Sequence, residues 1–164
     1  MAEDSKPDVD VIAGLPIGAS VRSNGRTIGE GEFGLLNLLI GATSRLHTDR
    51  EYMKTTQYGE RILGGAAVLA IVAAGWSHCE LYEELLRDYR VNYKAALESG
   101  GKFRAAVLPG DTIYGVYTLA SARASKSRPG WGVMEIAFQG ENQRGEVLID
   151  GALRAMFERL AEGV

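Results

Sequence analysis

Cysteine, histidine and positive charge are all scarce in this chain, and each shortage excludes something. Cys79 is the only cysteine in 164 residues, so no intramolecular disulfide can form. His47 and His78 are the only histidines, which leaves too few soft ligands for a metal site of three or four, and no metal is expected. Lys and Arg number 18 against 21 Asp and Glu, a net charge of -3. That balance offers no field for a polyanion, so nucleic acid is not an expected partner. The longest nearly uncharged run, residues 62–76, is too short to cross a bilayer and is rich in Ala and Gly, so no membrane association is expected either. The opening MAEDSKPDVD is acidic where a secretory signal would be basic and then apolar. With a lone cysteine, it points to a reducing, cytoplasmic setting.

What is present suits one ordinary domain. Hydrophobic residues make up 46% of the chain, and a chain of this length buries roughly two-thirds of its unfolded surface. Residues 1–13 mix charges with a proline and read as a mobile lead-in, leaving 14–164 as a single domain. A short strand is expected within 19–26. Thr27-Ile28-Gly29-Glu30 has the spacing of a capping box, which predicts a first helix from about Thr27. A second helix is expected from Thr48 or Asp49 to about 57–59, with Glu51 as a box partner for Thr48. From Gly65 the run AAVLAIVAAGW is apolar nearly all round, the mark of a helix buried on most faces. Its continuation, CELYEELLRDY, turns amphipathic. Residues 103–107, 112–120, 132–138 and 147–156 are rich in Val, Ile, Tyr and Phe and are separated by turn sequences. Helices first and a meander of strands last predict an α+β domain with the apolar helix against an antiparallel sheet.

Several motifs invite chemistry. Gly29, Gly31 and Gly34 satisfy GxGxxG, yet Glu30 and Glu32 would set two negative charges beside a pyrophosphate, and the later strands do not alternate with helices. Two carboxylates in a helix's first turn serve its dipole instead. Cys79 beside His78 reads as structural, and Trp76 and Trp131 as core or pocket wall. The stretch GATSRLHTDREY, from Gly41, is different. It sets His47 after the small polar residues Thr43 and Ser44 and before a helix start, a cleft edge suited to an acid-base side chain.

The same stretch, extended to GATSRLHTDREYMKTTQYGERILGGAAVL, resembles the signature of the MaoC-like, R-specific enoyl-CoA hydratase family, G-D-x-N-P-L-H-x-D followed by I-x-H-G. Gly41, Leu46, His47, Asp49, Tyr52, Thr55, Thr56, Ile62 and Gly65 carry the match. FRAAVLPGD, ending at Asp111, is similar to the family's F-x-x-P-V-x-x-G-D, and Asn142-Gln143-Arg144-Gly145 to its N-Q-x-G turn. The resemblance implies the hot-dog fold, an antiparallel sheet wrapped around a long central helix, in a homodimer or higher homo-oligomer. It also implies a hydratase or dehydratase acting on a 2-enoyl-CoA or 3-hydroxyacyl-CoA thioester. No cofactor is implied beyond the CoA carried by the substrate.

On this resemblance His47 is the acid-base and the amide of Gly65 is the oxyanion donor, since a helix N-terminus presents free N–H groups. The chain departs from the motif at three places. Ala42 replaces the catalytic Asp, Ser44 and Arg45 replace Asn and Pro, and Gly64 replaces the second His. Ser44 or Thr43 is the expected substitute for the missing water ligand, and Gly64 is assigned with Thr43 to substrate binding. Arg45 is expected to bind a second carboxylate on the acyl group through its planar fork. Asp49 is a reserve carboxylate. Lys94, Lys102, Arg104, Lys126 and Arg128 are candidates for CoA phosphates. Because Ala42 cannot accept a proton, two alternatives stand beside hydration: an altered reaction, isomerisation or thioester hydrolysis, and a non-catalytic acyl-binding subunit.

Overall fold

The structure is a computed structural model, and it describes residues 10–160. Two short strands, β1 (Ser20–Arg22) and β2 (Arg26–Thr27), lead into α1 (Glu30–Leu39), α2 (Arg45–Thr48) and α3 (Arg50–Met53). Helix α4 (Gly65–Gly75), a 3₁₀ turn (Trp76–His78) and α5 (Glu80–Arg87) follow, then four long strands: β3 (Val91–Phe103), β4 (Thr112–Ala124), β5 (Trp131–Glu141) and β6 (Val147–Arg159). The sheet is antiparallel in the order β1-β4-β5-β6-β3, with β2 paired to β4. The expected α+β class and late meander are what is seen. Of the expected lead-in, residues 1–9 lie outside the described residues, while Val11 is buried in the core.

Alternation builds the sheet's inner face. Along β5 Met134, Ile136 and Phe138 are buried, and along β6 so are Leu153, Ala155 and Phe157, while their neighbours in sequence are only partly covered or exposed; at the start of β6 both Leu148 and Ile149 are buried. Helix α4 lies on that face with Ala67, Val68 and Val72 buried. The Tyr117 hydroxyl of β4 donates to the Val72 carbonyl at 2.8 Å, tying sheet to helix. Burial raises the Tyr117 pKa far above its ordinary value, so the hydroxyl stays a donor.

Four expectations are corrected. The first helix begins at Glu30, not Thr27, because Thr27 is in β2 and its hydroxyl shares a 2.7 Å hydrogen bond with that of Thr112. Pairing with a distant strand overrides the local capping pattern. The second helix is two single turns. His47 lies inside the first of them, Thr48 binds back to the Ser44 carbonyl, and Asp49 caps the second by accepting from the Tyr52 amide at 2.9 Å. The long central helix is interrupted: α4 ends at Gly75, and α5 is a separate helix beyond the 3₁₀ turn. In the single chain α4 is also covered on fewer faces than its composition suggests, since Ala66, Ala70 and Ala74 form an exposed stripe at intervals of four residues. Finally, of the expected strand at 103–107 only Phe103 is in a strand, as the last residue of β3, and the strand itself lies upstream at 91–103. Its sequence VNYKAALESGGKF has no alternation because both faces are largely exposed, and it is a strand through pairing with β6. Among the described residues no helix is long and apolar enough to cross a membrane.

Candidate active site

The segment from Ile40 to Gly64 reaches over the N-terminal end of α4 and is fastened mainly by polar groups. Arg61 pairs with Glu30 at 2.6 Å and Glu60 at 3.0 Å, and Arg50 pairs with Glu60 at 3.0 Å and Glu30 at 3.4 Å. Glu30, one of the acidic residues inside the GxGxxG pattern, is therefore an anchor as well as a dipole partner. Glu32 is held by Arg26. No phosphate cradle results.

Three consecutive amides before α4 are each taken by a different element. Ile62 N–H donates to the Leu46 carbonyl at 3.0 Å, Leu63 N–H to the Val107 carbonyl at 2.8 Å, and Gly64 N–H to the Asn37 side-chain oxygen at 2.8 Å. The next two, Gly65 and Ala66 N–H, have no acceptor among the described residues. A helix N-terminus leaves such groups over by construction, and here they carry the partial positive charge of the helix end.

His47 is half-buried and lines the same cleft as Gly65. Its Nδ1 lies 2.8 Å from the Ile62 carbonyl oxygen. A carbonyl only accepts, so Nδ1 carries the proton and Nε2 of the neutral ring is left as a base. His47 and Gly65 line one cleft of about 450 Å³ together with Gln57, Tyr58, Val68, Phe103 and Arg104. The Phe103 ring lies over Gly65, where a Cβ would fall 2.9 Å from the ring's Cζ. The absence of a Cβ lets the ring come this close, and a side chain here would have to push it aside.

Of the residues expected at the site, the structure brings His47 and Gly65 together. Gly64 is buried behind the cleft wall, where a Cβ would meet Ile40 Cδ1 at 2.5 Å and the Ala42 methyl at 3.1 Å. The two positions at which the chain departs most from the motif, 42 and 64, thus abut each other. Thr43 and Ser44 are exposed and do not line the cleft, since Ser44 is the N-cap position of α2. Arg45 is also outside it, bound to Asp49 at 3.0 Å with its guanidinium 4.1 Å from the Tyr52 ring centre. The Tyr52 amide and then Arg45 hold the Asp49 carboxyl below its ordinary pKa, which suits a cap better than a base. Arg104 lines the cleft and pairs with Asp150.

Gln57, Tyr58 and Phe103 were missed in the sequence. Their positions near the matched blocks were the only signal, and nothing local marks them as facing His47. The other two blocks turn out to be joined. Asp111, buried, accepts from Leu108 N–H at 2.9 Å, Gln143 Nε2 at 3.0 Å and Arg144 Nη1 at 3.0 Å. Burial works to raise the Asp111 carboxyl; the Leu108 amide, Gln143 and Arg144 outweigh it and hold the pKa below the ordinary value. This cluster staples the turn after β3 to the β5–β6 turn and lies outside the cleft lining. Among the described residues no three His, Cys, Asp or Glu side chains gather as a metal set.

No protein-family model and no curated protein sequence matches the chain. Solved structures do. R-hydratase PhaJ1 from Pseudomonas aeruginosa is 21% identical with a TM-score of 0.63, over 90% of this chain and 89% of that one. The MaoC-like dehydratase from Rhodospirillum rubrum is 17% identical with a TM-score of 0.66, over 90% and 95%. A conserved Mycobacterium tuberculosis protein with a double hot-dog fold gives 18% identity and a TM-score of 0.71, over 92% of this chain and 44% of that one. The fold is the hot dog. At these identities the likeness is one of fold, and the MaoC-like dehydratases and R-hydratases are the structures among which this hot-dog chain falls.

Proposed function

We propose that this hot-dog chain is a MaoC-like hydratase or dehydratase acting on a 2-enoyl-CoA or 3-hydroxyacyl-CoA thioester. The observation that carries this reading is the shared cleft, in which a histidine with a free Nε2 and the unclaimed helix-end amide of Gly65 line the same space. In hydration, His47 Nε2 takes a proton from water as its oxygen bonds to C3. The negative charge that gathers on the thioester oxygen is met by the Gly65 N–H. The imidazolium then returns the proton to C2, completing addition of H and OH across the double bond. Dehydration is the reverse. One acid-base group suffices because the proton it removes is the proton it delivers, which answers the absence of a carboxylate at Ala42.

Gln57 and Tyr58 line the cleft and are better placed than Ser44 or Thr43 to orient the water. A homodimer belongs to the same reading. In the single chain β3 ends the sheet without a further strand, and the exposed Ala66, Ala70 and Ala74 stripe continues into an apolar groove with Tyr82, Tyr93 and Leu153. Cytoplasmic residence fits Cys79, which is buried and raised in pKa by that burial.

One observation favours a second reading. The cleft lining contains no Asp or Glu, and hydrolysis of a thioester needs only a base and an oxyanion donor. Absorbance at the enoyl-thioester band, followed with crotonyl-CoA and mesaconyl-CoA while free thiol is titrated, separates the two. Loss of the band without thiol release, abolished in His47→Ala, is the expected result. Thiol release would move the assignment to a thioesterase, and no change in either signal would remove catalysis.

A further inference from the structure

Three polar side chains are buried among the described residues: Asn37, Asp111 and Asn142. Asp111 and Asn142 have partners for their buried atoms, while Asn37 Nδ2 has none. Asn37 is 2% exposed and lies with Phe33 on the buried face of α1, where a leucine of similar volume would bring no side-chain donor to strand. Retention of an amide there implies that its other end is useful.

That end is Oδ1, which accepts the Gly64 amide at 2.8 Å. Gly64 and Gly65 are consecutive, so the peptide between them lacks the steric restraint that Cβ atoms give. This peptide supplies the Gly65 N–H. A side chain at 64 cannot provide the restraint, because a Cβ there would meet Ile40, Ala42 and Asn37 itself. The Gly64 carbonyl is fixed by Ala67 N–H at 2.9 Å and Val68 N–H at 3.2 Å, and Asn37 fixes the amide at the other end of the same residue. Pinned at both ends, Gly64 loses the freedom that would let the Gly65 amide swing.

We propose that Asn37 is a positioning residue for the thioester reaction: its side-chain oxygen locks Gly64 so that the Gly65 N–H stays aimed at the thioester oxygen in the cleft. The role rests on the reading of Gly65 as the oxyanion donor. Asn37→Leu keeps the volume and removes the acceptor; Asn37→Asp keeps an acceptor oxygen and removes the stranded donor. In Asn37→Leu kcat with crotonyl-CoA falls about 100-fold while KM changes less than about threefold, the signature of a misaimed transition-state contact. The carbonyl stretch of bound crotonyl-CoA, lowered by the Gly65 hydrogen bond in the wild type, returns toward its free value. Asn37→Asp retains both kcat, within about fivefold, and the lowered stretch, since its oxygen still accepts. A merely structural role would lower activity with the unfolded fraction and leave the stretch of the folded protein unmoved, and that result overturns the proposal. Wild-type turnover with an unaltered kcat in Asn37→Leu overturns it alone, and a wild type that neither binds nor converts any thioester overturns the underlying reading with it. If Asn37→Leu does not fold, Asn37→Asp decides: a retained stretch supports the role, and its loss overturns it.

Discussion

Residues 40–64, the segment that carries His47, fully bury two hydrophobic side chains, Met53 and Leu63, whereas β5 and β6 alone bury Met134, Ile136, Phe138, Leu148, Ile149, Leu153, Ala155 and Phe157. The first region is held by amide-to-carbonyl bonds and ion pairs at specific atoms, the second by apolar area removed from water. The contrast teaches where substitutions will be felt. In the sheet a lost side chain acts on the folding equilibrium. In the segment over the cleft a lost side chain changes the geometry presented to a ligand with little effect on folding, because few buried contacts depend on it.

The largest expected break falls on the cleft side. His47→Ala lowers kcat/KM for hydration by about 1,000-fold, the scale of a removed general acid-base, and leaves the thermal midpoint within about 2 °C of the wild type; a fall in midpoint that tracks the activity would erase the contrast. On the sheet side Phe157→Ala destabilises by about 4 kcal/mol through a core cavity, read from urea unfolding, with kcat per folded molecule unchanged.

Asp111 sharpens the comparison because it is polar yet belongs to the scaffold. Asp111→Ala destabilises by about 3 kcal/mol at pH 7, as a buried, hydrogen-bonded carboxylate is lost with its partners left behind. Its folded pKa is depressed below the unfolded 3.8, so its stabilisation is present above that pH and is lost as pH falls through the lower folded value. The stability difference between wild type and variant should therefore shrink progressively as the pH falls below 3.8. Gly65→Ala is smaller: the new methyl pushes the half-exposed Phe103 ring aside, lowering kcat/KM about tenfold without a measurable stability change. Smallest is Arg45→Ala, whose guanidinium lies on Asp49 and Tyr52 outside the cleft. The ratio of rates on mesaconyl-CoA and crotonyl-CoA should stay within about twofold of wild type, since exposed pairs contribute little. A larger change would restore Arg45 as the carboxylate reader.

Sequence alone determined the order of helices and meander, the start of α4 at Gly65 and the places of β4, β5 and β6. Those features are written in local periodicity and in glycine and turn residues, which act within a few positions along the chain. The resemblance around His47 also singled out the histidine and the Gly65 amide, which the fold brings to one cleft, with His47 inside α2 and not ahead of a helix start. Tertiary structure decided the rest. β3 has no alternating pattern, and only β6 makes it a strand. Thr27 has a capping spacing that its pairing with Thr112 overrides. His47 acquires a defined proton position from Ile62, fifteen residues away, and the Gly65 amide is freed because Leu46, Val107 and Asn37 claim the three amides before it. Each of these is a hydrogen bond between segments distant in sequence, and such a bond leaves no signature in either segment until the fold brings donor and acceptor together.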